Sequence, residues 1–233
     1  MNRDDHEVLW RHGLTAGGGC GSLAGAHTAP MSDPARKLTH QPVDDAPSED
    51  QVVVLEASWQ TYERLLAERG ECAWPKLSYN DGTLEIMSPS EDHDYISRAL
   101  HTLVMVYCEE SDVECRATGS WTLKSKRARK GTEADESYTF GTRRKSVYDL
   151  AIEVVRSRRA SSKLPIYAAL GVREVWVWQD GAITVHTLRA DAYRTAARSK
   201  VLSGIDLAQL TAHLSEPSTT RMAKRYRAAL RHG

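Results

Sequence analysis

Two acids, Asp135 and Glu153, carry the most chemistry the sequence offers. With Gly141 marking a turn between them, their separation suits two adjacent antiparallel strands that would set the carboxylates side by side. Two unpartnered carboxylates so placed repel each other, and a hard divalent cation relieves that repulsion. Magnesium commonly takes one or two protein carboxylates and keeps its other positions for water and phosphate oxygens. The chemistry would be metal-assisted hydrolysis of a phosphodiester. A plainer reading stands beside it: Glu153 could pair with Arg156 or Arg158, and Asp135 could be a turn residue.

Lys163 follows the Glu153 strand, at the start of a short helix. It could orient or activate the attacking water, or offset charge developing on the phosphorane. The alternative is a surface lysine in a first helical turn, where the helix dipole slightly disfavours it. Tyr167, one turn later, reads as packing. Glu85 and His93 flank the Ser88-Pro89-Ser90 turn; Glu85 could supply a third acid and His93 a phosphate contact, or both could be surface groups.

The elements that must position these residues follow from period and punctuation. Ser58 caps a predicted helix through Glu68, with Tyr62, Leu65 and Leu66 buried and Gly70 as its stop. Leu77 and Tyr79, then Leu84 and Ile86, alternate about Asp81-Gly82 and predict a hairpin. Ile96, Leu100, Leu103, Val104 and Tyr107 recur at helical spacing over 92–110. Val113 to Lys124 has strand character with a turn at Gly119-Ser120. Ser146 to Val155 reads as a strand with Asp149, Ala151 and Glu153 on one face. Ser161 or Ser162 then caps a helix to Leu170, stopped by Gly171. Val172 to Trp178 is apolar on both faces, as a central strand is, and Asp180-Gly181 turns it into Ile183 to Leu188. Short helices are expected over 206–214 and 220–230.

Residues 1–50, rich in Gly, Ala, Pro and acids, have little apolar surface to offset ordering entropy and are expected to form a disordered tail; Met31 opens a more ordinary start. Residues 51–233 are expected to form one domain. The chain has 41% hydrophobic and 27% charged residues, a globular balance, and its zero net charge excludes a polycation that coats nucleic acid. Anion binding must therefore come from local patches. The loop at Lys124, Lys126, Arg127, Arg129 and Lys130 is one, with Arg143, Arg144 and Lys145 and the arginines at 156, 158 and 159 as others. Cys20, Cys72, Cys108 and Cys115 lack metal-site spacing and read as reduced thiols of a cytoplasmic protein. No apolar run approaches the roughly 20 residues of a membrane span.

The segments GTEADESYTFG, DLAIEVV and KLPIYAALGVREVWVWQDG followed by ITVHTL, with LEIMSPSEDHDYIS upstream and VLSGIDLAQL downstream, resemble a bacterial restriction endonuclease family of the PD-(D/E)XK nuclease superfamily. The resemblance covers roughly residues 58–230. It implies an α/β, restriction-endonuclease-like core, a mixed central sheet flanked by helices, and a Mg2+-dependent (or Mn2+-dependent) site hydrolysing DNA phosphodiesters. Asp135 matches the first acid and Glu153 the acid of the (D/E)XK element. Val155 stands at the superfamily's lysine position, and Lys163 matches a lysine moved to the following helix. Glu85 and His93 match the acid and histidine around the L-E-x-M-S-P segment. Ala134 and Tyr148 stand where relatives often carry proline, and Ser162 where they often carry an acid. The expected partner is DNA, with RNA open, no membrane, and a homodimer open. Two rivals remain: a non-catalytic nucleic-acid-binding module using the basic clusters alone, and a phosphohydrolase of small nucleotides.

Overall fold

The structure, a computed structural model, describes residues 49–156 and 162–232. Most of the expected tail, together with Arg158, Arg159 and Ser161, lies outside the described residues. Ser58 caps the helix α1 (Trp59–Arg69) by accepting from the Thr61 amide at 3.1 Å. Two hairpins form where sequence placed them, β2 (Lys76–Asn80) with β3 (Thr83–Ser88), and β9 (Glu174–Gln179) with β10 (Ala182–Arg189). Their Asp-Gly turns hold φ of 43° and 104°, and of 50° and 84°, as a two-residue loop of this hand requires. Ser90 likewise caps α2 (Glu91–Glu110), whose first turn carries Glu91, Asp92 and Asp94 at the positive end of its dipole.

The expected turn at Gly119-Ser120 (Gly119 φ 57°) separates β4 (Cys115–Ala117) from β5 (Thr122–Ser125), and the two strands join different sheets. The basic loop is the tip of a hairpin between β5 and β6 (Lys130–Glu133). After β7 (Glu136–Phe140), strand β8 (Leu150–Val154) begins later than the expected Ser146. Asp149 explains the late start: its side chain accepts from the Phe140 amide at 2.9 Å and from Lys145 at 2.5 Å, with Arg173 at 3.2 Å. Helix α3 (Leu164–Leu170) starts after Lys163, which takes the cap position in place of a serine and makes no capping bond. Edge strands β1 (Gln51–Glu56) and β11 (Ala192–Ala196), helices α4 (Leu207–Ala212) and α5 (Thr219–His232), and a 3-10 turn at His213–Ser215 complete the chain.

The strands form two sheets. One is mixed, ordered β11-β10-β9-β8-β7-β4, with β8 and β9 parallel and joined through α3; this is the expected central sheet. The other is antiparallel, ordered β1-β3-β2-β6-β5. Strand alternation divides β8 between two cores. Leu150, Ile152 and Val154 pack with Trp176 against α2 and α5, while Ala151 packs with Val175 against Ile166, Tyr167 and Leu170 of α3. Glu153 shares the α3 side. Between β6 and β7 the chain passes from one sheet to the other, and Ala134 and Asp135 form that crossing.

Candidate active site

Asp135 sits, fully buried, on the seam between the sheets. The β7–β8 register pairs Glu136 with Ile152, and one step further sets Asp135 opposite Glu153. Asp135 Oδ2 accepts from the Val154 amide at 2.7 Å, which fixes the carboxyl at the edge of β8. The expected juxtaposition of the two acids is therefore present.

Neither acid is bare. Lys163 Nζ donates to Glu153 Oε2 at 2.8 Å and to the Glu133 carbonyl at 3.3 Å. The Tyr167 hydroxyl donates to Glu153 Oε1, so the tyrosine read as packing also holds the acid. Lys76 Nζ donates to Asp135 Oδ1 at 2.5 Å and to the Ala134 carbonyl at 3.2 Å. His93, in the first turn of α2, spans two acids: Nδ1 lies 2.9 Å from Asp50 Oδ2, and Nε2 lies 3.1 Å from Asp135 Oδ1 without an aligned hydrogen bond. Asp50 also accepts from the Ser90 amide and hydroxyl, so a residue assigned by composition to the tail closes one wall of the site.

Electrostatics separates the two acids. Burial opposes the charge on Asp135, but Lys76, His93 and Lys163 outweigh it and hold the carboxyl well below the usual range. At Glu153 burial prevails and, with the charge of Asp135, raises the carboxyl against the pull of Lys163. Burial also opposes the Lys163 ammonium, yet Glu153 and Asp135 raise it above an ordinary lysine, with Glu85 adding to the effect. For His93 burial again opposes the charge, and the carboxylates of Asp135 and Asp50 carry the ring up to about 9. At neutral pH Lys163 and His93 are cations.

A pocket of about 250 Å3 opens beside this cluster. Glu85, His93, Glu153 and Lys163 line it, joined by Arg156 and His186. Glu85 faces the pocket from β3, on the same side as Met87 and, across the hairpin register, Ser78 and Lys76. Arg156 bonds Asp92 at 2.7 Å rather than Glu153, which removes one of the plainer readings.

The basic hairpin is elsewhere. Lys124 lies 3.3 Å from Glu63, Arg129 lies 2.9 Å from Asp81, and Lys130 bonds Asn80. Lys126, Arg127 and Arg129 are exposed, and no residue of this hairpin lines the pocket. The hairpin tip stands at the end of β6 away from Asp135.

Sequence reasoning passed over Lys76, Asp50 and His186. Lys76 had a signal: it alternates with Leu77 and Tyr79, so period two places it opposite the apolar face and beside Glu85. Asp50 and His186 had none, because each is brought in by tertiary packing alone.

A family model described as "Uma2: Putative restriction endonuclease" matches residues 59–215. The chain belongs to the Uma2 family. That span contains Glu85, His93, Asp135, Glu153 and Lys163 together. No curated protein matches the sequence. No helix of the described residues is long and apolar enough to cross a membrane.

Among the described residues no group of three or more His, Cys, Asp or Glu side chains is arranged to hold a metal. The carboxylate pair nevertheless fits a hard cation of the magnesium type, which needs few protein oxygens. Asp135, held well below the usual carboxylate range, is the anionic member of that pair, and the buried Nε2 of His93, 3.1 Å from its Oδ1, has no aligned partner.

Proposed function

We propose that this Uma2 protein is a metal-dependent endonuclease hydrolysing DNA phosphodiester bonds, with Asp135 and Glu153 as the residues that would hold Mg2+ or Mn2+. The observation that carries it is a buried acid on the pocket wall, Glu153, with the Lys163 ammonium on it, backed by a second buried acid, Asp135, which accepts from the amide of the next residue, Val154. When bound, the ion supplies Lewis-acid activation of water and screening of the phosphate charge.

The chain's own residues do the rest. Lys163, held between Glu153 and the Glu133 carbonyl, serves as a fixed positive charge toward the phosphorane. Tyr167 and the helix α3 behind it keep Glu153 turned toward the pocket. His93, also a cation, lines the pocket with its two ring nitrogens turned to Asp50 and Asp135, and so holds positive charge beside the acids. Glu85 contributes a further carboxylate on the β3 side. The exposed basic hairpin would bind the polymer's backbone outside the pocket, sequence-independently.

Nicking of supercoiled plasmid tests the assignment. Cleavage is expected with Mg2+, absent with EDTA, and lost in Asp135→Ala and in Glu153→Ala. Persistent cleavage by both variants would overturn it. Salt-sensitive DNA binding with no cleavage under any condition would support the binding-module reading instead, and turnover of mononucleotides alone the small-nucleotide reading.

A further inference from the structure

Lys76 belongs to no part of the site derived from the acids and Lys163, yet it makes the closest cationic contact with Asp135. On β2 its neighbours Leu77 and Tyr79 point into a separate apolar cluster with Trp59 and Tyr62. Alternation turns Lys76 and Ser78 the other way, onto the seam between the sheets. There the side chain is 5% exposed, a state lysine almost never adopts without a partner. Its ammonium donates to Asp135 Oδ1 and the Ala134 carbonyl, and the Trp74 ring lies over it at 5.4 Å from the centroid. Asp135 thus carries a cation on the oxygen that a divalent ion would use, while Oδ2 is committed to the Val154 amide.

We propose that Lys76 is a second lysine of the site, an internal counter-cation on Asp135 that competes with a divalent cation for that carboxylate. The proposal rests on the reading of Asp135 and Glu153 as the metal-holding pair. Lys163 cannot take this part, because it binds Glu153 and reaches the β6 carbonyl from the helix side. With Lys76 in place, a divalent ion must share Oδ1 with a fixed positive charge in a poorly screened setting. Lys76 is accordingly a positioning residue: it sets how tightly the metal is held rather than touching the reacting phosphate.

The test is Mn2+ binding to the EDTA-stripped full-length protein by calorimetry, without any substrate. Lys76→Gln removes the charge while keeping a donor for Asp135, and is expected to bind Mn2+ at least tenfold more tightly than wild type. Lys76→Arg keeps the charge, although its planar fork is not a steric match for the ammonium, and is expected to show no such gain. The gain should vanish in Lys76→Gln combined with Asp135→Asn. Equal or weaker binding by Lys76→Gln, or a gain that survives loss of Asp135, would overturn the proposal while leaving the metal pair intact. No Mn2+ binding by any of these proteins would instead remove the metal reading itself, and this proposal with it. Should Lys76→Gln lose its thermal transition in EDTA, recovery of a cooperative transition with Mn2+ supports the competition. A variant that stays unfolded at millimolar Mn2+ counts against it.

Discussion

At the scale of single residues, the site is a set of buried charges that hold one another in place. Asp50, Asp135 and Glu153 are met by His93, Lys76 and Lys163; the first two contacts join elements distant in sequence, while Lys163 reaches Glu153 from the next element along the chain. Removing Lys163 should therefore cost catalysis more than binding. Lys163→Met is expected to lower kcat for plasmid nicking by about 10²–10³, the loss typical of one transition-state charge donor, with little change in DNA affinity. A filter-binding assay beside the kinetics separates the two. Glu174 offers a contrast, being buried with no role in the pocket. It accepts from Trp176 at 2.7 Å, from Ser199 at 2.5 Å and from the Lys200 amide at 2.8 Å, tying the segment after β11 to the sheet. Burial raises its carboxyl, with the Ser199 and Trp176 donors pulling against it. The folded protein thus binds this proton more tightly than the unfolded chain does. The stability it contributes is full below the ordinary glutamate value of about 4.3, and is lost as pH rises through the folded value. Glu174→Gln does not titrate there, so its deficit of about 1–3 kcal/mol in acid should narrow as pH rises. Unfolding midpoints across pH would show this.

At the scale of elements, most of the helices and hairpins could be read from spacing, caps and turn residues. The α1, α2 and β2–β3 assignments followed from the Ser58 cap, the helical spacing of Ile96 to Tyr107, and Asp81-Gly82, whose physics is local. The turn between β4 and β5 was legible at Gly119-Ser120, but nothing in Val113 to Lys124 says that its halves join different sheets. Strand β11 carries no apolar alternation, being an exposed edge held by pairing to β10. Packing between elements also constrains positions that look free. At Gly131 on β6 a Cβ would strike the ring and hydroxyl of Tyr62 on α1, in a buried aromatic group that stacks Tyr62 on Tyr79 at 5.4 Å. Backbone conformation is not the obstacle there, since Gly131 is not among the positive-φ residues. Gly131→Ala is expected to destabilise the fold by about 1–3 kcal/mol through overpacking, read by denaturant titration with an unchanged slope.

At the scale of the whole molecule, a neutral chain separates its chemistry from its positive surface. The acids and their lysines lie on the seam between sheets, whereas Lys126, Arg127 and Arg129 are exposed on the β5–β6 hairpin, outside the pocket. The separation predicts that the two functions can be divided. Replacing those three residues by glutamine should weaken DNA binding similarly for all sequences. It should also reduce the slope of log affinity against log salt by up to about 0.9 for each lost phosphate contact, while Mn2+ binding is unchanged. Fluorescence anisotropy across a salt series reads the slope.

The sequence by itself determined the α/β class, the cap of α1 and the Asp-Gly turns, the order of acids and lysine, and the family-like span that contains them. These rest on local periodicity and on residue types, both visible in one dimension. Only the tertiary structure decided which charges meet. It put Lys76 on Asp135, brought Asp50 to His93, turned Tyr167 from packing to holding Glu153, and left the basic hairpin away from the pocket. The physical reason is that a buried charge is tolerated only with a partner, and the partner is chosen by how two sheets cross at Asp135, not by proximity along the chain.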